Sequence, residues 1–530
     1  MKNKPIKKDK RKILFAIGGI MIVFVFIITA ICYRYWNRTK EKTSNKYISY
    51  FKGNSQYINK TEERKKTFVI GVSNIPTDTK VYEHDTEAGH ITENLVYEPL
   101  IRIDTMGRIT NVLAQNITFS NNGKKARIEL KQALFSDKTN LKPEDIIASY
   151  ERVATERSES YKKAFLSSIK GVSEYQEKKS DDIQGIKKID DQTVEITFNH
   201  TQASNLLAFT IPIQKLEKEE KSDVYPLGTG PYKISNIIFQ QQMEFVKNEE
   251  YQNSPYDYDT IQIRTMERNK LDEELQEHKV DLFYMNGKQD LDSIKKNNGY
   301  DIYQARKQEY QYLGFNLKSK VGKDVKVRQA IAYAIDQKSL EEKNTVFSNG
   351  VASYGIITTD NIYGSKENLP SQNVKKAKEL WKDSKEKKIT MVSLPDEYSL
   401  AYANEIKEEL KKAGISVEIK ENETEEESKT GSEQNYTATL QKEEGDFYLD
   451  LSTEQTLLEL IEQQLEEDSS LEKKYEENMK KIFTKNYTEV YNNVEDFCIE
   501  NQIIIPVVAS SSFIAVSSDC DKERMMDLFY

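Results

Sequence analysis

Apolar side chains are distributed along the chain in three distinct ways. From Ile13 to Cys32 they form an uncharged run of 20 residues, enough to cross roughly 30 Å of hydrocarbon as a helix. From Thr39 to about Lys66 the chain is polar and strongly charged without a sustained apolar period, which reads as a tether. Beyond Thr67 short periodic segments take over. Phe68, Ile70 and Val72 alternate as in a strand. Ile117 and Phe119, the turn Asn121, Asn122 and Gly123, and then Ala126, Ile128 and Leu130 predict a hairpin. Pro143 followed by Glu144 and Asp145 opens a helix, because proline suits the first helical position and acids suit that end of the dipole. Val327, Ala330, Ile331, Ala334 and Ile335 share one helical face. The clearest signal lies between Ile389 and Ile419. Ile389 and Met391 read as a strand, Ala403, Ile406, Leu410 and Ala413 as a helical face ended by Gly414, and Ile415, Val417 and Ile419 as a second strand. Such a βαβ unit implies parallel strands under a helix, hence an α/β fold. Residues Glu421 to Asn435 are acidic and Ser/Thr-rich, the composition of a solvated loop.

The flanks of the apolar run orient it. Lys2, Lys4, Lys7, Lys8, Lys10, Arg11 and Lys12 precede it, and Tyr33, Arg34, Tyr35 and Trp36 follow. By the positive-inside rule the N-terminus stays cytoplasmic and the remaining chain lies outside, a single-pass arrangement at the cell membrane. No small-residue cleavage motif is clear, so an uncleaved anchor is expected. Thr29, Ala30 and Ile31 make a poor lipobox before Cys32, so lipidation is the lesser alternative, decided by mass spectrometry of the mature N-terminus.

Length and charge narrow the rest. A chain of 530 residues is expected to form two or three lobes. Its 31% charged residues and net charge of −9 suit a well-solvated body and argue against a nucleic-acid partner. Cys32, Cys498 and Cys520 have no CxxC spacing, so neither a zinc site nor a disulfide framework is indicated; Cys498 and Cys520 read as bystander thiols rather than a bridge. His84, His90, His200 and His278 fall in no ligand spacing, and there is no GxSxG elbow, Walker A loop or GxGxxG turn. Gly228, Thr229, Gly230, Pro231 and Tyr232 contain a proline that blocks a phosphate-cradling turn into a helix. With 86 acidic residues no glycosidase pair can be picked out. The expectation is a non-enzyme without metal or cofactor.

Several segments together resemble the extracellular solute-binding proteins of family 5, the oligopeptide, dipeptide and nickel binders of ABC importers. Leu95, Tyr97, Glu98, Pro99 and Leu100, then Gly107, Leu113 and Ala114, are similar to an early family pattern. Phe135, Ser136, Asp137, Pro143, Glu144 and Asp145 follow another, Gly228 to Tyr232 match GTGPY, and Asn248 with Tyr251 resembles the asparagine and tyrosine after it. Phe315 and Asn316 precede the closest match, Val327 to Asp336. Ala377 to Leu380, Gly414 to Val417, and Ile505 with Pro506 continue in family order. The helix around Arg328 and the GTGPY turn read as scaffold, not as ligand contacts.

The resemblance implies a two-lobed periplasmic-binding-protein-like clamp of type II, with an inserted third subdomain, that closes on ligand about crossing strands. Lobe I is expected from residues 67–95, 224–307 and 503–530, the insert from 96–223 and lobe II from 308–502. These follow a basic tail (1–12), the membrane anchor (13–33) and the tether (34–66). Peptide-binding relatives hold ligand backbone as an added strand, which gives broad specificity. Candidate ligand residues are Tyr161, Tyr310, Tyr312, the backbone of Leu449, Asp450 and Leu451, and Glu454; each tyrosine suits core packing as well as ligand contact. After Gly445 and Asp446 relatives carry a tryptophan and then an acid for the peptide amino terminus; neither follows in register here, and Glu454 is the acidic substitute considered. Some 30 to 40 family residues are also missing before Val494, by approximate comparison. The implied partners are a peptide or other small solute and ABC permease and ATPase subunits, with the chain itself a monomer. The alternative is a sensing or interaction protein that kept the clamp and lost transport.

Overall fold

The computed structural model describes residues 47–530 except 59, 62–65, 77–85, 104–107, 156–164, 216–224, 253, 286–287, 337–338, 341–350, 353–370, 385–387, 394–396, 422–446, 454–457, 459–460, 463, 521, 527 and 529–530. The apolar run before Tyr33, the acidic segment after Glu421, Tyr161 and Glu454 therefore lie outside the described residues. Among the described residues no helix is long and apolar enough to cross a membrane.

Along the chain come β1 (Tyr47–Phe51), β2 (Thr67–Val72) and helix α1 (Glu87–Val96). Next are β3 (Ile101–Ile103), β4 (Ile109–Asn111), β5 (Ala114–Ser120), β6 (Lys125–Leu130), helix α2 (Pro143–Thr155), β7 (Ile186–Asp190) and β8 (Thr193–Thr197). β9 (Tyr232–Ile238), β10 (Gln242–Lys247), β11 (Thr260–Thr265) and β12 (Leu282–Tyr284) lead to the long strand β13 (Tyr300–Phe315). Helix α3 (Val325–Ala334), β14 (Val351–Ala352), β15 (Lys388–Ser393), α4 (Glu397–Lys412), β16 (Ser416–Glu421) and β17 (Phe447–Thr453) follow. Helices α5 (Ser469–Lys485) and α6 (Val490–Asn501) precede the last strand, β18 (Ile504–Ser517).

Twelve of these strands form one sheet in the order β16-β15-β17-β13-β18-β12-β2-β11-β10-β9, with β1 on β13 and β14 on β18. β13 and β18, at 16 and 14 residues, far exceed an ordinary strand. They pair antiparallel from Tyr300↔Ser517 to Gly314↔Ile504, with register shifts between Arg306 and Tyr310 and between Gln311 and Tyr312. β12 pairs with the later part of β18, while β17 pairs with the later part of β13, so the two strands carry the sheet from one end to the other. Each end has its own core. Leu313, Phe315, Val327, Ile331, Met391 and Leu410 pack at the β15 end. At the β2 end Phe68, Ile70 and Val72 face one apolar cluster and Val69 another, because a strand covered on both faces needs apolar residues at nearly every position.

The local patterns fold as their periods predict. β15 and β16 pair in parallel with Ile389 opposite Val417, and α4 ends at Gly414, whose φ of +81° suits glycine. The β5–β6 hairpin places Phe119 opposite Ala126, and Asn121, Asn122 and Gly123 all take positive φ at its turn. The Asp145 carboxylate accepts from Lys142 N at 2.8 Å at the start of α2. Asp324 caps α3 by accepting from Lys326 N at 2.9 Å. Cys498 is buried and Cys520 partly so, and both are free thiols.

The tether expectation needs correction. β1 pairs with β13, Tyr47 opposite Ala305, inside the segment expected to be featureless. Lys60 lies almost wholly buried, its Nζ 2.7 Å from the Asp281 carboxylate and 2.8 Å from that of Asp519. Five residues between charged neighbours are too few to establish a period, and two carboxylates replace the water that a lysine would otherwise require.

Strands β5 to β8 form a separate four-stranded sheet, order β5-β6-β8-β7. The chain enters and leaves this module beside α1, at a root built from close backbone contacts. Gly230 N donates to Val96 O at 2.9 Å, Ile213 N to Glu98 O at 3.0 Å, and Asn248 Nδ2 to Gly230 O at 2.8 Å. A Cβ on Gly228 would lie 1.9 Å from Val96 O. Arg328 is buried in α3 and donates twice to Asn501 O, at 3.1 and 2.8 Å, and also to Gly322 O, tying the C-terminus of α6 to the β15 end. Burial pushes its guanidinium down to about 10.

Two substitutions test these joints. Arg328→Ala leaves buried carbonyls unpaired and a void behind; chemical denaturation should show a loss of about 3 kcal/mol or more. Gly228→Ala cannot be absorbed by a flexible neighbour, because the obstructing atom is backbone; a loss above about 3 kcal/mol or failure to fold is expected, with Lys473→Ala on the exposed face of α5 within about 0.5 kcal/mol as control.

Candidate functional site

The crossing pair and the strand beside it hold most of the sequence-derived candidates that fall among the described residues. Tyr312 pairs with Asp450, Leu313 with Leu449 and Gln311 with Leu451, so Leu449 to Leu451 have β13 as their backbone partner on one side. On the other side β15 pairs with Phe447, Tyr448 and Leu449 and goes no further. From Asp450 to Thr453 that edge has no strand partner among the described residues, and its free N–H and C=O groups suit an added strand. Tyr310, two positions before Tyr312, pairs with Ser452 and Ala509.

Tyr312 takes the core-packing alternative. It is completely buried, in the same apolar cluster as Val392, Leu458 and Ile461. That cluster is unusual in reach, since it unites the four-stranded module with α5, α6 and the helical segment around Glu462 before them. Phe119 of β5 meets Phe483 of α5 edge-on, ring centroids 4.7 Å apart, and the Tyr487 ring at 5.4 Å. Such a pair contributes about 0.5–1.5 kcal/mol beyond its area burial. Gly123 presses on Phe483: an added Cβ there would lie 3.0 Å from that residue's Cβ. Tyr487 OH donates to Asn111 Oδ1 at 2.9 Å across the same seam.

One buried carboxylate fastens the seam. Glu462 Oε1 accepts from Ala203 N at 2.7 Å, from Ser204 N at 3.3 Å and from Tyr475 OH at 2.7 Å. The two amides open the 3-10 segment Ala203–Thr210, whose free N–H groups favour an anionic acceptor. Burial raises the Glu462 carboxyl above the usual range, against the lowering effect of Ser204, Tyr475 and Ala203. Tyr475 is likewise pushed up by burial first and by the Glu462 charge after it, and Cys498 by burial, then by the charges of Glu495 and Glu462. Sequence reading missed Glu462, because nothing in its neighbourhood along the chain separates it from other acids. Among the described residues no group of three or more His, Cys, Asp or Glu gathers to hold a metal.

A model of the bacterial extracellular solute-binding proteins, family 5 (middle region), matches residues 108–456. The chain belongs to this family. The oligopeptide-binding protein AppA of Bacillus subtilis (strain 168) is 22% identical over 391 residues, covering 71% of this chain and 68% of AppA. The heme-binding protein A of Haemophilus influenzae is 27% identical over 173 residues, 30% of this chain and 32% of that protein. Among solved structures, the periplasmic murein tripeptide binding protein MppA in its unliganded open form matches with a TM-score of 0.66 at 16% identity, covering 86% of this chain and 93% of that one. HbpA2 from Haemophilus parasuis matches with a TM-score of 0.61 at 17% identity, covering 85% and 95%. At these identities the structural likeness establishes the fold.

As a family 5 solute-binding protein the chain is a binder and not an enzyme. Its resemblance-carrying motifs are structural: GTGPY and Asn248 build the root of the module, and Tyr251 OH donates to Glu98 Oε1 at 3.2 Å in the same place. Glu462, α5 and α6 lie beyond the matched residues.

The seam is testable through pH. A carboxyl whose folded pKa is raised contributes stability that is fully present below the unfolded value, about 4.3, and lost as pH rises through the higher folded value. Glu462→Gln imitates the protonated form. It should raise the melting temperature near pH 8, and the gain should shrink as pH falls towards about 5; a gain that is equal at both pH values would contradict the assignment.

Proposed function

We propose that this chain is the membrane-anchored, extracytoplasmic receptor of an ABC importer, capturing peptides or chemically similar solutes between two lobes. The observation that carries the reading is the crossing pair β13–β18, which joins two separately cored ends of one sheet in a family 5 chain. Lobe I takes residues 67–95, 224–307 and 503–530, joined by the strand Tyr47–Phe51; lobe II takes 308–502, and the insert 96–223. The ligand backbone adds to the open edge of β17 beyond Leu449, with Tyr310, Tyr161 and Glu454 as further contacts. Of these, Glu454 is the acid that suits a ligand ammonium. Residues 13–33 are the anchor and residues 1–12 stay in the cytoplasm. The body works as a monomer with permease and ATPase subunits and needs no cofactor.

A second reading, a sensing or interaction protein that lost transport, draws on the burial of Tyr312 and on the apolar seam beside it. Co-purification with permease subunits favours the first reading; stable capture of a different membrane protein favours the second.

Ligand binding is the direct test. A peptide pool in hundredfold excess over its dissociation constant should stabilise the protein by about 2.7 kcal/mol in thermal or calorimetric titration. Glu454→Gln should weaken binding of peptides with a free amino terminus at least about tenfold and leave N-acetylated peptides unaffected. A flat response across peptide pools would remove the peptide reading.

A further inference from the structure

Four joints close a ring through the molecule. At the root, Gly228 and Gly230 lie against the Leu95 and Val96 backbone and fix the module to the β2 end. Across the seam, Phe483 packs on Phe119 and Gly123 while Glu462 holds Ala203 N and Ser204 N, fixing the module to α5 and to the helical segment before it. Arg328 on Asn501 O fixes α6 to the β15 end. The β13–β18 ladder returns from the β15 end to the β2 end.

A bend at the register break of β13, between Arg306 and Tyr310, changes the angle between the two ends. In an open chain of bodies that bend is free. In a closed ring it has to part another joint. Root and ladder are backbone contacts packed too closely to slide, and the Arg328 joint is a buried charge on carbonyls. The seam rests on side chains, the Phe119, Phe483 and Tyr487 rings and the Glu462 carboxylate, with no strand ladder across it among the described residues, so it is the joint that yields.

We propose that the four-stranded module is a brace that sets the angle between the two ends of the sheet, so that the molecule opens only when the seam between β5–β6 and α5 parts. The brace rests on the two-lobed reading above but not on the identity of any ligand. It makes solute exchange a gated event, controlled at the seam, in place of free hinge motion. A gate of this kind also separates opening from ligand supply: solute selects among openings that the seam permits.

The test is single-molecule energy transfer in the full-length protein, with fluorophores placed by unnatural amino acids at the exposed Ile238 of β9 and Glu418 of β16, the two outermost strands of the sheet. The ligand-free native protein is expected to give one narrow distance, unchanged by a pool of short peptides. Phe483→Ala combined with Glu462→Ala should produce a second distance population, while Glu462→Gln, which keeps an acceptor for the two amides, should not. If the alanine pair fails to fold, Phe483→Leu with Tyr487→Phe loosens the same seam more gently and should still give a second population. Two interconverting distances in the native protein, a peptide-induced shift, or folded seam variants with a single unchanged distance would each overturn the brace. Calorimetric binding is scored separately, so loss of the peptide reading leaves this result standing.

Discussion

The pairing of β13 with β18 is the constraint on which the molecule depends. A sheet with a core at each end can be continuous only if some strands are long enough to belong to both, and these two are. Their ladder supplies the covalent path and the hydrogen bonds between the ends at once. It also fixes where bending is cheapest: at the register shifts, where the ladder loses regularity and local twist increases. The open edge of β17 beyond Leu449 is positioned from that ladder.

Buried charge recurs at the joints, and each instance is matched differently. Lys60 meets two carboxylates and so draws the segment after β1 onto the body. Arg328 meets only neutral carbonyls, which keeps its charge at an expense seen in its lowered pKa. Glu462 meets two amides and a phenol, and burial outweighs their help. Removing one partner of the buried Lys60 pair strands the other, while replacing both with apolar groups is often neutral. The seam therefore combines an apolar contact that favours closure with a carboxylate that charges it a small penalty at neutral pH.

Much of the fold was legible because it is local. Ile389, Ile406 and Val417 declare strand, helix and strand through spacing alone, and Asn121, Asn122 and Gly123 declare a turn through the backbone angles they tolerate. The family order of motifs was legible too, and the structure gives GTGPY and Arg328 the scaffold roles that their composition suggested. What was not legible depends on residues distant in sequence. Tyr47 to Phe51 is a strand only because β13 offers an edge. Tyr312 alternates correctly for a site residue, yet α5, α6 and the module close over its side of the sheet. Glu462 is one carboxylate among 86, and only the amides of Ala203 and Ser204, more than 250 residues away, give it a role.

The central claim is that the module and the helices α5 and α6 form one body with the rest of the sheet. Amide hydrogen exchange tests it most directly. If the claim holds, the amides of Ala203 and Ser204 are protected far above an unstructured peptide and exchange through parting of the seam, at a free energy below that of the β13–β18 ladder. Exchange at these two positions as fast as in an unstructured peptide, under the same native conditions, would contradict it.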